Sequence, residues 1–310
     1  MKLFYTLLLS CVLAFPLPAQ QLSLNSPDGR LKVKIELNNQ ILFSVCHEQT
    51  EVLAASPLSM KLADGTVWGA VPRLKNRKFS SVDRLVDSPV YKKKVIREVY
   101  QELVLNFRGN YSLTVRAYDQ GVAYRFSSAE KNELVVAEEQ VELNFSEDYP
   151  AVVPYVRDFD PLHFEQQFFN SFENTYAHLK LSELNPERLM FLPLIVELQE
   201  GKKLCVTEAD LEDYPGLYLI NRNGSTSLTG VFAPYPKKVS QGGHNMLQGL
   251  VTEREDFIAK SQGPRNFPWR VFAVSADDRE LLDNDLVYLL ASPSRVEDAS
   301  WVKPGKVAWD

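Results

Sequence analysis

A run of acidic residues marks the end of one predicted strand in the second half of the chain. Residues 202–219 begin as an alternating, partly apolar strand and then turn through Tyr214, Pro215 and Gly216. A strand that ends in carboxylates places oxygen atoms at the rim of a sheet, where they could bind a hard cation or a sugar. A solvated acidic turn is the alternative, and residue types alone favour it. The acids of this run are Glu208, Asp210, Glu212 and Asp213.

The histidines and the charge balance argue against several other kinds of site. The four histidines show no metal-ligand spacing, and the sequence contains neither a glycine-rich phosphate loop nor a Ser-His-Asp signal. The absence of these three patterns counts against a zinc hydrolase, a nucleotide-binding protein and a serine esterase. The net charge is −6 and no basic stripe is present, so nucleic acid is not an expected partner. The histidines are His47, His163, His178 and His244.

The first 19 residues have the pattern of a secretory signal peptide. A positive charge at Lys2 precedes an apolar run, and a Pro-Leu-Pro-Ala sequence ends at Ala19. We expect cleavage after Ala19 or Gln20 and export to the periplasm or the medium, rather than lipidation at Cys11. The segment is too short to span a bilayer and no later apolar run is long enough, so no membrane span is expected.

The exported chain would keep two cysteines, Cys46 and Cys205, which lie far apart in the sequence. An exported protein meets oxidising conditions, so the two could form a disulfide. Both also lie in apolar, strand-like runs, which suit buried unpaired thiols at least as well. The sequence leaves both alternatives open.

Strand patterns dominate the chain from residue 21 onward. Residues 31–37 alternate apolar and charged side chains, which is the period-two pattern of a strand with one buried face. Glycine-containing turns separate the apolar runs, as in SPDG at 26–29 and Asp-Gly at 64–65, and residues 95–107 form a long extended run. Many short strands joined by hairpin turns predict an all-β protein, a large antiparallel β-sandwich.

Three segments depart from this strand pattern. Residues 159–184 are rich in aromatic and polar side chains without strict alternation, and they predict a loop with short helical turns. Residues 234–249 contain many Gly, Pro and Lys residues and predict a long mobile loop. Residues 277–290 predict one late helix, because leucines recur at helical spacing and acids occupy its first turn. Trp269 and Arg270, just before it, are expected to close the sandwich against this helix.

Four stretches together resemble the amino-terminal domain of glycoside hydrolase family 97, which comprises secreted bacterial α-glucosidases and α-galactosidases. Their order and spacing over nearly the whole chain make the resemblance specific, and Gln120 is a departure from the family's hairpin pattern. The stretches are SPDG at 26–29 with the strand after it, RAYDQGVAYRF at 116–126, Glu208-Ala209 with the YPG turn at 214–216, and the segment 268–310.

The resemblance implies a galactose-mutarotase-like β-sandwich over residues 21–291. It implies that residues 292–310 are a linker and the start of a catalytic (β/α)8 barrel that lies mostly beyond this sequence. The barrel would carry the catalytic acid and base, so no catalytic residue is expected in this chain. Glu208 is implied as one oxygen ligand of a calcium ion whose other ligands belong to the barrel. Glu173 and Tyr176 are implied to lie on the substrate side of the domain.

These features lead to one main hypothesis and two alternatives. The chain is expected to be the carbohydrate-facing, calcium-assisting domain of an exported α-glycosidase that hydrolyses α-linked glucose or galactose. Its expected partners are an oligosaccharide substrate and its own C-terminal catalytic barrel. A free-standing carbohydrate-binding module would instead use exposed aromatic side chains as platforms for sugar rings. A mutarotase-like enzyme would need a histidine–carboxylate set in a concave sheet.

Overall fold

The computed structural model describes residues 20–88, 90–303, 305–306 and 308. Two large sheets of nine and ten strands pack face to face, and a separate two-stranded hairpin accompanies them. The predicted all-β class, a large antiparallel β-sandwich with a late helical segment, is confirmed. The predicted signal peptide with Cys11 and the final residues Trp309 and Asp310 lie outside the described residues.

The strands follow one another along the chain with few helical interruptions. The strands are β1 (Gln20–Asn25), β2 (Leu31–Leu37), β3 (Ile41–His47), β4 (Thr50–Leu62), β5 (Val67–Trp68), β6 (Leu74–Asp87), β7 (Val95–Phe107), β8 (Tyr111–Tyr118), β9 (Gly121–Ser128), β10 (Glu133–Asn144), β11 (Pro150–Val153), β12 (Ala177–Lys180), β13 (Leu194–Glu197), β14 (Lys203–Ala209), β15 (Leu217–Ile220), β16 (Ser227–Phe232), β17 (Pro236–Gly242), β18 (Gln248–Arg254), β19 (Ala259–Gln262), β20 (Arg265–Asn266) and β21 (Trp269–Ser275). The helices are the 3-10 turns Phe164–Phe168, Leu181–Glu183, Gln199–Gly201 and His244–Met246, and α1 (Asp278–Leu282) and α2 (Leu286–Leu290). No helix in the described part of the chain has the length and apolar character needed to cross a membrane.

The two sheets are built from hairpins and longer crossovers. The first sheet has the order β1-β2-β3-β4-β10-β16-β15, with β5 added to β4 and β19 added to β10. The second has the order β12-β11-β13-β14-β21-β9-β8-β7-β6, with β20 added to β9. Adjacent strands run antiparallel, as in β10 with β4 and β14 with β21, so many connections need only a short turn. The adjacency of β14 and β21 positions the candidate site.

The main core lies between the sheets, where alternate residues of each strand point inward. β2 follows the predicted alternation, because Leu31 and Ile35 are fully buried and the charged residues between them are not. β21 is buried along its whole length because each of its faces is covered. Phe272 belongs to the core between the sheets, whereas Trp269 packs on the opposite face in a cluster with Leu286 of α2. The expected position of Trp269 against the helical segment is confirmed.

The predicted helix over residues 277–290 is wrong as a single element, because two five-residue helices occupy this segment. The side chain of Asp277 caps α1 by accepting a hydrogen bond from the backbone N–H of Arg279. Between the helices, the side chain of Asn284 accepts a hydrogen bond from the backbone N–H of Leu286 at 2.9 Å. Short polar side chains that bond to nearby backbone compete with helical hydrogen bonds, which explains the interruption.

Two other predictions for irregular segments need correction. The predicted long loop over 234–249 is instead mostly a hairpin of β17 and β18. Most residues of both strands are at least partly exposed, so the sequence lacks the apolar alternation that identifies a half-buried strand. In the segment 159–184, the 3-10 turn at Phe164–Phe168 agrees with the prediction, whereas β12 was not expected.

β6 was also missed, and it forms a long hairpin with β7. Its 14 residues are mostly exposed, which removes the same alternation signal. β8 pairs with β7 only from Gln101 onward, whereas β6 pairs with β7 as far as Val95. The strand residues 82–87 and 95–100 therefore extend beyond β8 as a two-stranded projection. Together with the turn residues 88 and 90–94, we call this projection the β6–β7 arm.

The tip of the β6–β7 arm is fixed to the helical segment. The ring of Tyr91 stacks on that of Tyr288 with centroids 4.2 Å apart. The Tyr91 hydroxyl donates a hydrogen bond to Asp285 at 3.0 Å, and Lys93 forms ion pairs with Asp285 at 2.6 Å and Asp283 at 2.8 Å. These contacts hold the arm against α1 and α2, so a space is enclosed between the arm and the outer face of the second sheet.

Cys46 and Cys205, the two cysteines among the described residues, are free thiols. Cys46 lies on β3 of the first sheet and Cys205 on β14 of the second. Burial raises the pKa of the Cys205 thiol to about 11, so this thiol is protonated at neutral pH. Of the two alternatives that the sequence left open, the structure has the unpaired thiols.

Candidate functional site

Glu208 lies one residue before the end of β14, directly opposite Arg270 of β21. The residues two and four positions earlier on the same face, Val206 and Leu204, belong to the core between the sheets. Glu208 therefore points toward the gap between the sheets at their edge, and 14% of its side chain is exposed. The acidic run does not project its first carboxylate freely into solvent.

Arg270 connects Glu208 to a carboxylate of the opposite sheet. Its Nη1 donates to Oε2 of Glu208 at 2.7 Å, and its Nε and Nη2 donate to the two oxygens of Glu139 at 2.9 and 2.6 Å. Glu139 lies on β10 of the first sheet and also accepts a hydrogen bond from the Tyr214 hydroxyl at 2.8 Å. The side chains of Arg270 and Glu139 are 2% and 4% exposed. We call these four residues the Arg270 cluster.

The Arg270 cluster has an excess of negative charge when its groups are ionised. One guanidinium faces the two carboxylates of Glu139 and Glu208, which leaves a net charge of −1. The apolar surroundings include the ring of Phe232, 5.1 Å from the guanidinium carbon of Arg270. Burial in such surroundings disfavours the charged form, but the two carboxylates outweigh this effect and raise the pKa of Arg270, so the guanidinium stays charged. The cluster therefore joins the two sheets and fixes the direction of Glu208.

Sequence reasoning missed Arg270 and Glu139 as parts of this site. It expected Arg270 to pack with Trp269 against the helical segment, but successive residues of a strand point to opposite faces, and Arg270 points inward. One signal was available, because Arg270 is a lone charge in an otherwise buried strand. A buried guanidinium requires a carboxylate partner. The identity of that partner could not be read from the chain.

The carboxylate of Glu208 meets the chemical requirements of a single calcium ligand. Carboxylate oxygens are hard donors, and the net negative charge of the Arg270 cluster favours a cation. Besides its bond from Arg270, the carboxylate accepts a shared hydrogen bond from the backbone N–H of Leu217, which lies 3.2 and 3.3 Å from its two oxygens. These oxygens have lone pairs left that could bind a cation. In the described part of the chain no three His, Cys, Asp or Glu side chains are grouped to hold a metal. A calcium ion at Glu208 would therefore take its other oxygens from elsewhere.

Burial makes ionised Glu208 unfavourable, with a consequence for stability. Desolvation raises the pKa of the Glu208 carboxyl, and the charge of Arg270 and the N–H of Leu217 only partly oppose this effect. A carboxyl whose pKa is raised by folding binds its proton more tightly in the folded state. Its stabilising contribution is complete below the unfolded pKa and is lost as the pH rises through the folded pKa.

We therefore expect Glu208→Gln to gain stability relative to the parent protein as the pH rises above about 4.5. The glutamine cannot ionise, so only the parent loses stability through this window. Urea unfolding of both proteins at a series of pH values from 4 to 8 measures the difference in the free energy of unfolding. A difference that stays constant, or that changes in favour of the parent, would contradict the raised pKa.

Two other acids of the run, Asp210 and Glu212, make structural contacts with the segment after α2. Asp210, at a positive φ of 59°, accepts hydrogen bonds from the backbone N–H and the hydroxyl of Ser292 at 2.7 and 3.0 Å. It also receives Nη1 of Arg125 at 3.3 Å. Glu212 pairs with Arg295 at 2.9 Å. These two acids fix residues 292–295 beside the end of β14.

Among the described residues, no hydrogen bond or ion pair joins Glu173 or Tyr176 to the Arg270 cluster. Both are exposed, with Tyr176 at 61%, in the irregular segment before β12. The backbone N–H of Glu173 donates to the hydroxyl of Ser171 at 3.1 Å, and the neighbouring Phe172 packs on Phe191 with ring centroids 4.7 Å apart. Their exposure leaves both side chains free to meet a ligand, and their substrate-side role stays a prediction.

Solved structures share this fold. A glycoside hydrolase family 97 enzyme from Pseudoalteromonas sp. strain K8, in complex with acarbose, matches with a TM-score of 0.75 and 21% identity over 92% of this chain and 40% of that chain. A beta-arabinopyranosidase matches with a TM-score of 0.66 and 17% identity over 83% of this chain and 40% of that chain. At these identities the likeness shows the shared β-sandwich fold alone.

The family follows from the sequence match. The family model for the glycosyl-hydrolase 97 N-terminal domain matches residues 24–293, and the chain belongs to this family. A retaining alpha-galactosidase of Bacteroides thetaiotaomicron is 48% identical over 307 residues, which is 98% of this chain and 46% of that protein. The chain thus spans about half the length of this relative. A match to a glycosidase along nearly the whole chain does not favour a free-standing binding module or a mutarotase-like enzyme.

Proposed function

We propose that this chain is the carbohydrate-facing, calcium-assisting N-terminal domain of an exported α-glycosidase. The observation that carries the proposal is the Glu208 carboxylate, which Arg270 holds at the edge of the sandwich in a cluster of net negative charge. The 48% identity to a retaining alpha-galactosidase supports a glycosidase and favours α-linked galactose over glucose as the substrate. Export rests on the signal-peptide pattern of the first 19 residues.

In this proposal the residues of the chain bind and orient, and they do not catalyse. Glu208 supplies one oxygen to calcium, and Arg270 and Glu139 fix its direction from the core. Exposed Glu173 and Tyr176 face the oligosaccharide. Calcium, when bound, would supply positive charge that polarises the substrate. The acid and base would come from a C-terminal barrel, since glycoside hydrolysis needs two carboxyl groups at a defined separation across one bond.

The metal role is tested by Glu208→Ala in a protein that joins this chain to a catalytic barrel. We expect the calcium concentration for half-maximal activity to rise by about tenfold or more, because one charged oxygen ligand is lost. Glu212→Ala is the matched control, since Glu212 lies in the same acidic run and is 54% exposed in a surface ion pair. An unchanged calcium dependence in Glu208→Ala, with turnover that needs no added metal, would reject the ligand assignment.

The division of labour is tested on the 310-residue chain alone. Because the proposed acid and base are not among its residues, we expect no detectable hydrolysis of aryl α-galactosides or aryl α-glucosides. Binding of the same sugars can be measured in parallel by calorimetry. Clear turnover by the chain alone would overturn its description as a non-catalytic domain.

A further inference from the structure

β6 forms an unusually long edge of the second sheet. It is the last strand in the order of that sheet, and among the described strands it pairs with β7 alone. Its 14 residues compare with six, four and four in β1, β12 and β15, the strands at the other three ends of the two sheet orders. From Asn76 to Asp87 its pairing with β7 contains no bulge. Such a long, regular edge presents a row of backbone donors and acceptors that can pair with a strand of another chain.

Two large apolar side chains of β6 are exposed on one face of this edge. Phe79 and Leu85 lie an even number of positions apart in a stretch without a bulge, so they share a face of the strand. They are 52% and 71% exposed. Proline, which protects many edge strands from pairing, is absent from β6. Exposed apolar side chains on an unpaired edge are typical of a strand that contacts another chain.

The charges of β6 are divided between its two halves. The cations of the first half are Lys75, Arg77 and Lys78, and the acids of the second half are Asp83 and Asp87. Arg84 is the exception, and Glu98 of β7 compensates its charge at 2.6 Å. Arg77 and Asp87 are both exposed, and neither makes an ion pair within the described part of the chain. A strand with this division of charge is complementary to an antiparallel copy of itself.

We propose that β6 is the interface of a symmetric dimer, in which it pairs antiparallel with β6 of a second copy of this chain. A two-fold axis perpendicular to the sheet would keep each face continuous across the new pair, so opposed residues must lie on the same face. The second sheets of the two copies would then form one continuous sheet. The inference does not depend on the glycosidase proposal.

The side chains of β6 favour a register with Val82 on the two-fold axis. Phe79 of each copy then lies opposite Leu85 of the other, which covers both exposed apolar side chains. Arg77 of each copy lies opposite Asp87 of the other, so two ion pairs form. No like charges are directly opposed over residues 77–87 in this register.

The registers on either side of this one oppose like charges. With Ser81 on the axis, Lys78 of each copy lies opposite Arg84 of the other. With Asp83 on the axis, the two Asp83 carboxylates lie opposite each other. Like charges directly opposite in a strand pair are destabilising. Of these three registers, β6 is therefore complementary to itself only with Val82 on the axis.

Sedimentation velocity of this chain over a concentration series tests the association. We expect a monomer–dimer equilibrium with a dissociation constant of roughly 10–100 μM, because two strand edges form a small interface. Leu85→Lys should weaken dimerisation at least about tenfold, since it removes both apolar pairs, and its exposure leaves the fold of the monomer intact. Leu162→Lys is the matched control, because Leu162 is 85% exposed outside β6, and it should dimerise like the parent.

A charge exchange tests the register. Arg77→Asp and Asp87→Arg each place like charges opposite one another, and each should weaken dimerisation about tenfold. The double variant restores opposite charges and should recover most of the parent affinity. A chain that stays monomeric up to roughly 1 mM, parent-like dimerisation of Leu85→Lys, or a double variant no better than the single variants would each overturn the proposal.

Discussion

Arg270→Ala is expected to lower the free energy of unfolding by about 3–5 kcal/mol, the usual consequence of breaking a buried ion pair. The substitution leaves the carboxylate of Glu139, 4% exposed, without its cation between the two sheets. It also removes the bond that holds Glu208. Urea unfolding measured at neutral pH gives the change directly.

Arg97→Ala is the matched control. Arg97 also pairs through two nitrogens with one carboxylate, that of Asp83, at 2.9 and 2.6 Å. These two side chains are 67% and 55% exposed, so water replaces the lost contact, and we expect a change much smaller than that of Arg270→Ala. Similar losses in Arg97→Ala and Arg270→Ala would show that burial does not decide the contribution of Arg270.

Gly121→Ala is expected to lower the free energy of unfolding by about 3 kcal/mol, since overpacking and backbone strain act together. Gly121 begins β9 at a φ of 150°. An added Cβ would lie 2.8 Å from Cα of Ala273 and 2.8 Å from a methyl carbon of Leu286, and it would meet the carbonyl oxygen of Phe272. The backbone of β21 at Phe272 cannot move away without disturbing Arg270, which lies two residues before Phe272 on the same strand.

Gly29→Ala separates the two causes of this loss. Gly29 has a φ of 76°, but no atom lies within 4 Å of the position that an added Cβ would occupy, so only the backbone term remains. We expect a loss of roughly 1 kcal/mol for an alanine in this region. Thermal unfolding and urea unfolding of the two variants should therefore differ clearly. Equal losses in the two variants would mean that the close approach of β21 to Gly121 adds nothing to the destabilisation of Gly121→Ala.

The Arg270 cluster relates the stability of the domain to its proposed function. Arg270 joins the sheets through Glu139 and at the same time orients Glu208, so one guanidinium serves the core and the candidate site. Because the guanidinium of Arg270 neutralises only one carboxylate, the second one leaves the cluster with an excess of negative charge. A group that is unfavourable for folding at neutral pH and yet held in a fixed direction is typical of a residue kept for binding.

Half-buried strands could be read from the chain, and exposed strands could not. In β2 the alternation of apolar and charged side chains reports the boundary between core and solvent, so the strand was predicted. β6 and β17 have most residues exposed, and their backbone pairing depends on a neighbouring strand rather than on their own pattern. The prediction of a single helix over residues 277–290 was wrong for a different reason. The leucine spacing gave no indication that Asn284 interrupts the helix.

The sequence by itself determined the all-β class, the acidic residues at the end of β14 and the resemblance to the family, because periodicity and motifs are local properties. The tertiary structure alone decided which groups meet. Arg270 is 131 residues from Glu139 and 62 from Glu208, and their contacts arise from the packing of two sheets and the pairing of two strands. The cavity beneath the β6–β7 arm likewise combines distant segments. Neither arrangement has a local signal, because side chains far apart in the chain are brought together only by the fold.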